Sequence, residues 1–342
     1  MKKIFFLFAL LSFTAQAQYQ VQGQLKPAEK FSWIILYKIE GARQIFVKSG
    51  KIANGKFSFT LPQNTKAGMY RVSYKTTGDG FADFLFNKEN IAFTFNPNQA
   101  EQTIAFQKSE ENKLYQSYIK TVANEQYKAD SLQIAYLKNP SVKIENSYKN
   151  QLKKIASLQT TFVKKSNGKL VQHFIKATNR YNSPVIAKTS QEYLNSVIGH
   201  FFDTIDFTNT ALYNSAFLVD RITDYVFYMN YSDDPKTQEN LHKKAVKIVL
   251  NKTNNPTFKK DILEFLITQF VNYKSVDFVD YLFATYYNIL PKKLQNAQFK
   301  KEALDKISVE VGRTAPEITW KENGKNYKLS TLNDAQNYVL VF

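Results

Sequence analysis

The chain has 342 residues, 44% hydrophobic and 15% aromatic, with 46 Lys and Arg against 29 Asp and Glu for a formal charge of +17. Length and apolar content suffice for two or three buried cores. The absence of cysteine excludes disulfides, thiolate nucleophiles and thiolate-bound metals within these residues.

Residues 1–17 read as a secretory signal. Lys2 and Lys3 form a charged start, 4–13 a short apolar run, and Ala15-Gln16-Ala17 a small-x-small cleavage site. The run is too short for a stable membrane anchor, so no integral span is expected. No cysteine follows the site, so the exported protein is not a lipoprotein, and cleavage leaves Gln18 first. The expected location is periplasmic. Losing two lysines lowers the charge from +17 to +15. The lysines are scattered along the sequence and interleave with no nucleic-acid motif, so no nucleic-acid partner is expected. The charge reads as a solvated surface, with weak attraction to anionic surfaces as the lesser option.

From 18 to 108 apolar residues alternate with period two. Strands are expected at 19–25, 32–39, 44–48, 56–61, 69–74, 82–86, 91–95 and 103–106. Asn54-Gly55 is the pair favoured by a tight hairpin turn. Turn residues recur at Pro62-Gln63-Asn64, Gly78-Asp79-Gly80 and Asn96-Pro97-Asn98. Short strands at this spacing predict an antiparallel β-sandwich or small barrel.

At Ser109 the period changes to that of a helix. Ser109 is placed as an N-cap, with Glu110 and Glu111 in the first turn and Leu114, Tyr118 and Val122 on one face. Further helices carry Leu152, Ile155, Leu158 and Phe162, ending near Asn167-Gly168, then Leu194 to Phe201, and Phe217 to Tyr225. Asp234-Pro235 opens the next, with Leu241, Ala245, Ile248 and Val249 as its stripe. The series continues through Ile262, Leu266 and Phe270, then Val276, Val279, Phe283 and Tyr286, and closes after Pro291 with a helix to about Ile307. An all-α domain over 109–308 follows, packed as antiparallel pairs.

The last residues, Val311 to Phe342, resemble the opening of the thioredoxin-like family of exported proteins, the TlpA-like reductases and AhpC/TSA-type peroxiredoxins. The matching positions are Gly312, Ala315 and Pro316, then Gly324-Lys325, then Leu329, Ser330 and Leu332, and an apolar strand 338–342. In that family such a strand leads into a Cys-x-x-Cys loop, whose thiol is activated at a helix N-terminus. The stretch 18–108 also resembles an uncharacterised β-domain that precedes thioredoxin-like domains in exported Bacteroidetes proteins. The residues carrying this are Gly23 and Leu25, Leu36-Tyr37, Gly55 to Phe59, and Gly68 to Val72. That domain supplies no catalytic residue to carry over.

The remaining candidate chemistry is thin. His173, His200 and His242 are each expected on a helix, without the ordered spacing of a metal site. Asp203 and Asp206 are paired carboxylates, read as caps at a helix end rather than as acid and base. Asp233-Asp234 is too short for a calcium loop. There is no Gly-x-Ser-x-Gly and no Gly-rich phosphate loop. The 21 Tyr and 28 Phe fall mostly at core spacing. No residue is assigned as catalytic, cofactor-binding or metal-ligating, and no cofactor is expected.

The resulting expectation is a multidomain exported protein: signal 1–17, β-sandwich 18–108, helical domain 109–308, and an incomplete thioredoxin-like α/β portion 309–342. The resemblance implies the N-terminal portion of a periplasmic thiol–disulfide oxidoreductase or peroxiredoxin-like protein that acts on a periplasmic protein substrate. These residues lack its redox cysteines and should be inactive in that reaction. The alternative is a non-catalytic envelope binding or scaffold protein, holding a partner through the β-domain or the helical surface.

Overall fold

The computed structural model describes residues 18–28, 31–76, 78, 80–314 and 316–339. The expected signal at 1–17 lies outside the described residues, as do Ala315 and 340–342 of the C-terminal resemblance. The chain divides into two units, one ending at Lys252 and the other beginning at Thr253.

The period-two stretch forms β1 (Tyr19–Leu25), β2 (Trp33–Glu40), β3 (Arg43–Lys51), β4 (Lys56–Leu61), β5 (Gly68–Ser73), β6 (Phe81–Phe86), β7 (Ile91–Phe95) and β8 (Ala105–Lys108). They make two four-stranded sheets, ordered β4-β1-β7-β8 and β3-β2-β5-β6. The first is mixed, since β1 runs parallel to β7. Alternation puts Val21, Phe57, Phe59 and Phe93 of one sheet and Leu36, Tyr70, Val72 and Phe84 of the other into a single core. Gly23 has a packing reason to lack a side chain: a Cβ there would sit 2.0 Å from the Phe57 ring.

Two sequence expectations change here. Asn54 and Gly55, at φ 51° and 73°, do close a turn bridging Ala53 and Lys56. The strands on either side then part into different sheets instead of pairing as a hairpin. The strand expected at 103–106 begins later, because Ala100–Thr103 forms one helical turn, α1, before β8. Thr103 Oγ1 fixes that turn by accepting from Asn96 N at 2.8 Å and donating to Gln99 O at 2.6 Å.

The helices of the first unit are α2 (Glu110–Lys138), α3 (Val142–Lys165), α4 (Val171–Ala177), α5 (Ser190–Gly199), α6 (Thr210–Tyr213), α7 (Ala216–Thr223) and α8 (Pro235–Asn251). Ser109, Ser141, Thr189, Asn209 and Asp234 cap five of them through side-chain oxygens. Asn139-Pro140 breaks the long pattern, so α2 and α3 pair as a helical hairpin. A π-helical turn, Asp224–Met229, extends α7.

The sandwich and the helices of this unit meet at a buried polar junction. Asn112, in the first turn of α2, accepts from Leu85 N at 2.8 Å and donates to Leu85 O at 2.6 Å. Its amide thus covers the free edge of β6 as another strand would. Beside it the buried Glu111 carboxylate accepts from Asn87 Nδ2 (2.7 Å), Leu170 N (3.1 Å) and Val171 N (2.6 Å), the last two at the start of α4. Ser109 holds φ 137°, a strained value for a residue with a side chain, and is fixed on both sides. It donates to Glu89 Oε1 at 2.5 Å and accepts from Asn112 N at 3.1 Å.

The second unit contains α9 (Pro256–Asn272), α10 (Val276–Leu282) and α11 (Ala297–Lys306), with a π-helical turn Phe283–Tyr287 after α10. Strands β9 (Thr319–Glu322) and β10 (Lys325–Lys328) pair antiparallel around Asn323-Gly324, both at positive φ. Leu329–Thr331 then makes a 3-10 turn pinned by Ser330 N on Glu317 Oε1 at 3.1 Å. Tyr338 and Val339, the described part of the expected last strand, belong to no strand, and Val339 is 87% exposed. A small hairpin is therefore what the described C-terminal residues form.

Replacing Asn112 by leucine should destabilise the first unit by about 2–5 kcal/mol, because two buried backbone groups of Leu85 lose their partners. Urea unfolding of the two proteins measures this. An unchanged midpoint would show that the amide contributes nothing at the β6 edge.

Candidate functional site

A groove of about 580 Å³ with largely apolar walls lies in the helical part of the first unit. One wall is α2, through Tyr118, Ile119, Val122 and Ala123. The other is α5 with the turn after it, through Tyr193, Leu194, Val197 and Phe201, and the floor includes Ile155 and Ile205. Ile119 and Leu194 remain 38% and 47% exposed, so apolar side chains stand open on both sides. Met229 lines one end from the π-helical turn after α7, a helix irregularity often found at binding sites.

Polar groups at the groove are partnered within the protein. Arg180, on the segment between α4 and α5, grips Asp130 of α2 in a two-pronged pair of 2.5 and 3.1 Å. Tyr193 donates to the same carboxylate at 3.2 Å. Burial opposes the Arg180 charge, and Asp130 more than restores it, leaving the guanidinium above its ordinary pKa. Gln126 and Asn182 exchange reciprocal amide bonds of 2.8 and 2.9 Å, tying α2 to this segment a second time. Near the floor Arg221 pairs with Asp224 and lies 4.9 Å from the Phe201 ring centre. The cations therefore present stems and planar faces more than free charge.

The structure disperses the histidines and carboxylates singled out from sequence. His200 lies in the turn after α5, not within a helix; it stacks on Tyr181 at 3.8 Å and pairs with Asp203 at 2.5 Å, at the groove rim. Asp206 organises the turn 206–208 by accepting from Thr208 N and Oγ1, which holds its pKa below the usual carboxylate value. Asn209, not Asp206, caps the next helix, α6. His173 on α4 contacts Asn209 at 2.7 Å. His242 on α8 contacts Gln238 at 2.7 Å, and burial lowers its pKa. Asp233 accepts from Tyr231, and Asp234 caps α8. Among the described residues no three His, Asp or Glu side chains come together as a metal site.

Residues 19–115 match a family described as a domain of unknown function, DUF4369. The match covers the sandwich and continues through the first turn of α2, so it includes Ser109, Glu111 and Asn112 of the buried junction. No curated protein and no solved structure matches the chain. The residues lining the groove all lie beyond the matched range.

Sequence reasoning did not single out Arg180, Asp130, Tyr193 or the Gln126–Asn182 pair. Their partners are 50 or more positions apart. The one available signal was the Asn-, Ser- and Pro-containing stretch 178–185 between helices, where an ordered loop carrying Arg and Tyr often serves a site.

The α2 wall is held to α3 by Glu125, which accepts from Gln151 (2.8 Å), Lys128 (2.9 Å) and Lys154 (2.9 Å). These donors, Gln151 foremost, hold its pKa down from 4.5 to about 2. A depressed folded pKa means the stabilisation is complete above pH 4.5 and is lost as pH falls through about 2. Thermal melts of the wild type should weaken across that window more steeply than those of Glu125→Gln. Parallel pH profiles would refute the role given to this carboxylate.

Proposed function

We propose that this chain acts by binding, and that its groove between α2 and α5 receives an apolar molecule or an apolar segment of an envelope partner. The observation that carries this is the groove itself: its volume lies within the range of ligand sites, roughly 300–1,000 Å³, and its walls are apolar with charges already paired. A ligand entering it gains burial against Ile119, Leu194 and Phe201 without having to neutralise a free charge. Export to the periplasm, expected from residues 1–17, would place the groove among envelope partners. An amphipathic dye such as 1-anilinonaphthalene-8-sulfonate should bind the folded protein, and Leu194→Glu should weaken binding about tenfold by putting a charge into the wall. Equal dye affinity in both proteins would exclude the groove.

A second reading is favoured by the C-terminal hairpin. Strand, Asn323-Gly324 turn, strand and Leu329 turn follow in the order that the thioredoxin-like resemblance implies. On this reading the chain is an upstream portion of a thiol–disulfide oxidoreductase or peroxiredoxin-like protein. The redox step would use cysteines that these 342 residues do not hold. The DNA following the codon for Phe342 tests it: an open frame encoding Cys-x-x-Cys is expected, and a stop codon there removes the reading.

A further inference from the structure

One helix carries a dense run of lysines. Helix α3 contains six, Lys143, Lys149, Lys153, Lys154, Lys164 and Lys165, and all six are exposed. At 3.6 residues per turn they fall on one arc, opposite the buried stripe of Tyr148, Ile155, Gln159 and Phe162. The rest of that arc is neutral, with Asn146, Asn150, Ser157 and Thr161. The one acid of α3, Glu145, lies off the arc and accepts from Tyr136 Oη at 2.8 Å. Among the described residues, Lys154 alone of the six has an ion pair, with Glu125. The row from Lys143 to Lys165 is about 33 Å long at 1.5 Å per residue.

We propose that this face of α3 docks the protein onto an anionic lipid surface. Five lysines without an acidic partner among the described residues, held in line by a helix anchored to α2, fit a plane of spread negative charge. Lysine is a compact hydrated cation that acts on such a plane without being stripped of water. A protein partner would be met by aromatic and Arg anchors, and lysine is depleted at protein interfaces. A single-stranded nucleic acid would need aromatic side chains for stacking, and the arc has none. Val142, the first residue of α3, is 71% exposed on the same arc and gives the helical-hairpin tip one apolar contact with the lipid boundary. The inference is independent of the groove, which is lined by other faces.

The test is co-sedimentation of the full chain with phosphatidylcholine vesicles, with and without phosphatidylglycerol. Binding should require phosphatidylglycerol. It should weaken as ionic strength rises from about 0.01 M to 0.15 M, where the screening length shrinks from about 30 to 8 Å. Neutralising Lys149, Lys153, Lys164 and Lys165 to Gln should reduce binding roughly fivefold per lysine, more than about a hundredfold in all. The same positions changed to Arg should retain it. Changing Lys26, Lys48, Lys51 and Lys56 of the sandwich to Gln alters net charge equally and should leave most binding intact. Residues 4–13 are apolar and present in every variant, so the comparison isolates the helix face. Equal loss in both Gln variants, or equal binding to both kinds of vesicle, overturns the proposal. So does binding to polyglutamate or duplex DNA without binding to vesicles, which would assign the face to another class of partner.

Discussion

A helix begun against a sheet edge leaves two sets of backbone groups without partners: the first N–H groups of the helix and the outer row of the strand. In this protein one turn, Ser109 to Asn112, satisfies both. Asn112 pairs with the β6 backbone, and Ser109 with Glu89 receives the N-terminus of α2. Glu111 takes the first N–H groups of α4. Ser109, Glu111 and Asn112 are buried and would be costly unpaired, so the turn fixes the direction in which α2 leaves the sandwich. The strained φ of Ser109 is tolerated because contacts on both sides over-determine it.

The groove and the lysine face both follow from that direction. Helix α2 supplies a groove wall on one side and seats α3 on another, and Glu125 at that seam is the anionic partner shared by Lys128 and Lys154. The Arg180–Asp130 and Gln126–Asn182 pairs then hold the segment after α4 against α2, which keeps the groove open to a defined width. The matched β-domain family ends in the second turn of α2. The helical surfaces proposed to bind are thus largely additions to that domain, positioned by it.

The sandwich was legible because alternation and turn residues are local signals. Strands 19–25, 56–61 and 91–95 are found as expected. The segment at 103–106 misled because Thr103 spends its hydroxyl on a helical turn, a choice made by Asn96 and Gln99 around it. The caps at Ser109 and Asp234 were legible for the same reason that strands were, since a cap bonds to a residue three positions on. Glu111 and Asn112 were not: a first-turn acid and amide read as ordinary helix-start residues, and their true partners are 24 to 60 positions away.

By itself, then, the sequence determined where the chain alternates, where it turns helical and that Ser109 and Asp234 cap their helices, because those depend on neighbours within a few positions. It also set the total charge and the lack of any thiol. Tertiary structure alone decided that Asn112 completes a strand edge, that Arg180 meets Asp130 beside an apolar groove, and that the lysine arc of α3 is the one left facing solvent. These are properties of distance in space. A side chain's partner across 50 residues, or its place on the solvent arc of a packed helix, is fixed only when the cores have formed.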